Sequence, residues 1–384
     1  MDNNGSSTVM VFIGTRKGGF ILQSDNKRET WEMKGPIFKG WNVMHMTFDA
    51  RDQRLHAAVV HDVYGPSTHY SDDYGASWTQ GQEAPSFPRP SNSSRPLGTP
   101  EEVKDPPEVQ EEKVLKVWHI KPALDDQPGV LFAGVEPAAL FRSNDRGETW
   151  ALNESLYDHP HRSDWFPGAG GLCLHTIVPD PQDSNRIYIA ISTGGCYRTD
   201  DGGKNWAPYN KNVRADFLPD KLPEYGQCVH KMAIHPQNPQ VIFQQNHCGV
   251  YRSDDQGENW IDIGEGKLPS RFGFPIAVHP HQPETIYIVL EESDEYRLSV
   301  DGSFAVWRST DSGNSWERLT AGLPERAHLV VLREAMATDQ FESAGIYIGT
   351  STGQVFATRD AGDNWERIAD LLPRILSVET ATIS

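Results

Sequence analysis

Four histidines stand at the heads of four short apolar segments: "HMTFDARD" from His45, "HIKPALDD" from His119, "HTIVPDPQ" from His175 and "HKMAIHPQ" from His230. Imidazole is the commonest protein ligand for transition metals, and neutral imidazoles converging on one point suit Fe, Mn, Zn or Cu. Matched histidines therefore have two readings. Either they cage a divalent transition metal, or they line a wet polar channel and bond backbone and water. "FPIAVHPH" puts Phe274 at the matching place, and "HLVVLREA" offers His328 in looser register.

A second series of polar groups ends other apolar runs. Arg16 and Lys17 follow "FIGT", His61 and Asp62 follow "AAVV", Glu136 follows "FAGV", Asn246 and His247 follow "FQQ", and Glu291 follows "IVL". Glu136 and His61 are candidates for a general base or for partners of metal-bound imidazoles. Arg16 is a candidate grip on an anionic substrate group. Cys173 and Cys228 each precede a strand-head histidine by two residues, and buried packing is the expectation for both. In "HPHRSDWF", Trp165 is expected to anchor a surface loop. No pattern points to an organic cofactor.

These groups need elements to position them, and the chain repeats one element. "SDDYGASW" begins at Ser71, "SNDRGETW" at Ser143, "TDDGGKNW" at Thr199, "SDDQGENW" at Ser253, "STDSGNSW" at Ser309 and "TRDAGDNW" at Thr358, with a worn copy, "SDNKRETW", at Ser24. The third-position Asp can accept hydrogen bonds from its own turn, and the fifth-position Gly permits a left-handed backbone. The closing Trp offers a large apolar face. Each box offers too few oxygens for a calcium loop. The box tryptophans are 47 to 72 residues apart, the length of one four-stranded propeller blade. The unit reads strand, strand, strand, box, strand. Before Ser24 there is room only for "MVFIGT" and "GFILQS", so the C-terminal "ILSVETAT" is expected to complete the first blade. The expectation is an all-β, seven-bladed propeller, one closed domain over 1–384, with 81–116 a long inter-blade insertion that is either flexible or a flap.

This pattern resembles the Asp-box (BNR-repeat) propellers, which include sialidases, the sortilin luminal propeller, xyloglucan-degrading enzymes and photosystem II assembly propellers. The resemblance covers nearly the whole chain and implies the fold; that fold hosts both catalysts and binding platforms. Sialidases begin with an Arg-Ile-Pro motif supplying one of three carboxylate-binding arginines. Here the corresponding region reads "GTRKGGF", so sialidase activity is not expected.

Blades in a ring are related by rotation. Inner-strand heads, second-strand ends and the long loops 81–116, 157–171 and 211–227 should therefore meet at one mouth of the axial channel. The expected function is an enzyme at that mouth, metal-assisted through His45, His119, His175 and His230, acting on a small or medium polar substrate. The alternatives are a non-catalytic protein-binding platform and a metal-free glycoside hydrolase. Thirty-five basic against fifty-three acidic residues give a net charge of −18, which argues against nucleic acid or anionic membrane as partner. Four cysteines without a C-x-x-C pair, and an N-terminus without a signal-peptide pattern, lead to an expectation of the cytoplasm.

Overall fold

The computed structural model describes residues 7–88 and 112–383. Most of the 81–116 insertion, including the flap considered above, lies outside the described residues.

Six of the seven boxes close through the same backbone turn. In the box at Ser253, the Ser253 hydroxyl donates to Asp255 (2.8 Å) and accepts from the Gly257 N–H (2.8 Å). Asp255 in turn accepts from the backbone and side-chain amides of Asn259 (2.9 and 2.7 Å). The same bonds recur at Ser71, Ser143, Thr199, Ser309 and Thr358. In the worn copy Ser24 instead donates to the Thr30 carbonyl. Gly257 sits at φ +91°, as the sequence requires, and the preceding Gln256 is left-handed too (φ 59°), which the sequence did not reveal.

Between boxes the strands form antiparallel sheets. Four-stranded sheets start from the inner strands Asn42–Asp49, Lys116–Pro122, Leu174–Asp180, Val229–His235 and Gly273–Val278. The remaining strands make one eight-stranded sheet whose halves meet through a single parallel pair, Glu334 opposite Ser377. In that sheet the C-terminal strand Ile375–Ile383 pairs antiparallel with Thr8–Thr15, from Thr8 opposite Ile383 onward, so the first repeat is completed from the end of the chain. Each inner strand packs on the next, and Ile375–Ile383 packs on both Val331–Thr338 and Asn42–Asp49.

Apolar clusters fill the spaces between neighbouring sheets. Box tryptophans stitch them: Trp206 Nε1 donates to Asn153, Trp260 to the Tyr209 carbonyl and Trp316 to the Ile263 carbonyl, each in the preceding repeat. Stitches run forward as well, because Arg198 and Arg308 donate to the carbonyls of Gln256 and Ala361, the left-handed residues of the next box.

The inner strands carry one further irregularity, a bulge at the head. Register breaks between Val43 and His45, Val117 and His119, Leu174 and Thr176, and Val229 and Lys231. A bulged residue leaves the ladder and its side chain is re-aimed. These breaks decide where the candidate histidines point.

Candidate functional site

The bulges divide the four histidines into two pairs. His45 and His119 are in the ladder, opposite Ala58 and Gly134. His175 and His230 are themselves the bulged residues, while Thr176 and Lys231 hold the ladder places. The sequence alignment of the four heads is thus one residue out between the pairs, and they do not share one centre. A length signal was present. Asp49, Asp180 and His235 each accept a backbone N–H two residues on and so mark the same turn. Counted back from it, His45 is four residues away but His175 and His230 are five.

His175 is fully buried and both ring nitrogens are engaged, Nε2 with the Val229 carbonyl (3.0 Å) and Nδ1 with the Thr176 hydroxyl (3.0 Å). Burial holds its pKa well below the usual histidine value. It is a strut between repeats. His45 and His119 stack with ring centres 4.4 Å apart. His45 accepts from the Ile120 N–H on Nδ1 and donates from Nε2 to Glu379 (3.3 Å). His119 Nδ1 lies 3.3 Å from Glu334 Oε2 but off the line a hydrogen bond needs, and neither of its nitrogens has a partner. Burial pushes the Glu334 carboxyl up, yet the Lys231 ammonium bonded to it and His119 outweigh that and hold it well below the usual range. His119 itself is lowered to about 4, chiefly by burial.

Above this axial network opens a cavity of about 750 Å³. Inner-strand heads, second-strand ends and the 157–171 and 211–227 loops contribute to it together, through residues such as Met44, Trp118, Ser192, Phe166 and Phe217. Trp165 is buried and donates to the Tyr197 hydroxyl (3.1 Å), anchoring the loop whose Phe166 forms wall. Arg16, Arg297, Arg333 and Arg374 line the cavity, and among the described residues no carboxylate lies within ion-pair distance of any of them. Arg333 sits over the faces of Trp118 and Phe274, and Arg297 over Phe272 and Phe274. Burial and the neighbouring Arg16 lower the pKa of Arg374. The sequence offered Arg16 but not the other three, which no matched position marked.

The proposed bases fall differently. Glu136 Oε2 accepts from Lys116 (2.8 Å) and Trp118 Nε1 (2.9 Å), so it fixes two wall residues instead of facing the cavity. His61 accepts two backbone N–H groups of its own turn and packs on Trp41 and Tyr64, away from the cavity lining. Glu291 is buried beside Arg297 and Arg374 with neither carboxyl oxygen hydrogen-bonded, and burial raises it to about 8.

His230 joins a cluster the sequence did not assemble. Cys228, His230 and His247 bring a sulfur and two ring nitrogens within 4.8 Å of one another at the cavity wall. The His247 N–H donates to the Cys228 carbonyl (2.9 Å), so adjacent strand ends hold the cluster together. Burial pushes the Cys228 thiol up, but the two imidazoles outweigh it and hold it well below the usual value. Cys173, by contrast, is raised to about 11 by burial and accepts from Arg333. Both cysteines are buried as expected, and Cys228 additionally meets the two imidazoles.

No protein-family profile matches the chain. A xyloglucanase of Acetivibrio thermocellus is 24% identical over 275 residues, 62% of this chain and 31% of that protein, so the chain spans about a third of that relative's length. Among solved structures, an ancestral GH74 enzyme superposes with TM-score 0.51 at 14% identity, covering 88% of this chain and 38% of the other. YCF48 bound to a D1 peptide superposes with TM-score 0.50 at 15% identity, covering 85% and 80%. At such identities the likeness is one of fold. Joined to boxes closed by one repeated set of hydrogen bonds, it shows a β-propeller fold whose repeats carry Asp-box turns.

Proposed function

We propose that the axial cavity is the active site of a hydrolase acting on an anionic, saccharide-sized polar substrate. The observation that carries this reading is the set of Arg16, Arg297, Arg333 and Arg374, which have no carboxylate partner among the described residues and gather in one cavity of a chain with net charge −18, while the two lining carboxylates, Asp294 and Glu334, face His247 and Lys231. Clustered cations repel one another, and a bound anion relieves that cost with charge-assisted hydrogen bonds. Trp118, Phe166, Phe217 and Phe274 supply apolar faces against which a sugar ring can lie. The xyloglucanase relatives support hydrolysis of a carbohydrate as the reaction class. Glu291 lies buried beside two of the arginines and outside the cavity lining, so it supports their position and does not touch the substrate. Glu136 is a positioning residue that holds Lys116 and Trp118. The ring that carries the site is read as seven-bladed and as one body, a reading supported by the unbroken cycle of inner-strand contacts.

Calorimetric titration with glucuronate against glucose, alongside release of nitrophenol from an aryl uronide and an aryl glucoside, tests it. The acidic ligands should bind and react and the neutral ones should not. Arg333→Ala should weaken binding about tenfold or more without lowering the melting temperature by more than a few degrees. Equal use of neutral and acidic sugars would remove the anion reading. Binding of an extended peptide without any turnover would favour a platform.

A further inference from the structure

The Cys228 cluster shares the cavity wall with the arginines, but its sulfur and ring nitrogens bond to none of them. We propose that Cys228, His230 and His247 bind one divalent cation of the Zn²⁺ class, leaving a fourth coordination position open to the cavity.

Hydrogen bonding on the outer side of each ring fixes what faces inward. His230 Nδ1 donates to the Gly273 carbonyl (2.6 Å), and a carbonyl can only accept, so that nitrogen carries the proton. His247 Nε2 meets the Asp294 carboxylate (3.1 Å) and carries the proton there. Oxygen acceptors behind the ring are the usual support of metal-ligating histidine, orienting it and raising its basicity. The remaining nitrogens are bare lone pairs near Cys228, whose sulfur has, among the described residues, only the distant Ser192 hydroxyl (4.0 Å) as a further partner. Three lone-pair centres then share the single proton of the thiol. Two of them are left without a donor, and a divalent metal that displaces the thiol proton to solvent engages all three at once.

Size agrees. Zn–S and Zn–N bonds place tetrahedral ligand atoms roughly 3.5 Å apart. The cluster atoms lie within 4.8 Å, so about 1 Å of side-chain adjustment closes the site. The sulfur–imidazole donor set selects a borderline-soft ion over Mg²⁺ or Ca²⁺. Among the described residues, His45, His119 and Glu334 form the other compact group, but the Lys231 ammonium already occupies Glu334, and His45 is engaged at both nitrogens. A second cation there would be repelled. The inference does not rest on the hydrolase reading.

Tag-free protein, stripped with chelator, is titrated with Zn²⁺ and separately with Co²⁺. The expected result is one Zn²⁺ per chain and, with Co²⁺, a thiolate-to-metal absorption band. Cys228→Ser should abolish the band, and His247→Ala should weaken Zn²⁺ binding about tenfold or more. His119→Ala and His175→Ala should leave both readouts unchanged. His247, at a strand end and only partly buried, gives a variant whose cooperative melting can be confirmed alongside. Bound Zn²⁺ should also shield Cys228 from alkylation. Substoichiometric binding, binding indifferent to Cys228→Ser, or binding lost in His119→Ala instead would each overturn the proposal.

Discussion

Glu291 shows how one buried side chain sets a pH response. Its carboxyl, normally near 4.5, is held at about 8 by burial, with Arg297 and Arg374 pulling weakly the other way. The native state therefore keeps a proton that the unfolded chain releases. The stability this contributes is complete below pH 4.5 and is lost as pH rises through 8. Glu291→Gln removes the titration at constant volume, so its melting temperature relative to wild type should climb between pH 4.5 and pH 8. A pH-independent difference would show that the carboxyl is ionised in the fold. Neighbouring residues also show what a sequence conceals. That polar groups gather where inner strands begin was legible from the repeated heads, and Arg16 lines the cavity as expected. The direction of each histidine was not, because one bulge residue exchanges the places of His175 and Thr176 relative to Met44 and His45. Residue type repeats in the chain; the pleat does not.

Among the elements, the boxes were the most legible, since their chemistry is local. An Asp two residues after a Ser or Thr, and a Gly two residues after that, close the turn without help from distant chain. Asp360 accepts from the Thr358 hydroxyl (2.6 Å) and from the Asn364 backbone and side-chain amides (2.9 and 2.8 Å). Asp360→Ala should cost about 1–2 kcal/mol, the usual loss when a carboxylate cap is removed, read as a lowered denaturation midpoint at unchanged slope. No loss at all would mean the turn is held by its strands alone. What escaped the sequence at this scale was the forward stitch. Arg198 and Arg308 directly precede their boxes, yet their partners are carbonyls of the following box, 58 and 53 residues on. Such contacts depend on how repeats lie against one another, which no window of one repeat contains.

For the whole molecule, the strand Ile375–Ile383 is where closure was anticipated and where it occurs. It buries Ile375 and Val378, gives Glu379 to His45 and brings Arg374 to the cavity. Deleting 374–384 strips a full ladder from Thr8–Thr15 and should cost about 5 kcal/mol or more, from the apolar side chains alone. Melting should broaden and fall well below that of the intact chain; an unchanged transition would refute ring closure by this strand. The same pairing has a consequence in time. Thr8 must wait for Ile383, its partner at the far end of the sequence, and contacts of such separation are late to form. During synthesis the first repeat therefore stays open, its Val9, Val11 and Ile13 side chains and strand edge uncovered while every later repeat is added. Arg374, too, reaches the cavity only when that strand docks. Completing the cavity lining and covering this apolar strand edge thus happen in one docking event, so a chain that lacks Ile375–Ile383 leaves both undone and is prone to aggregate.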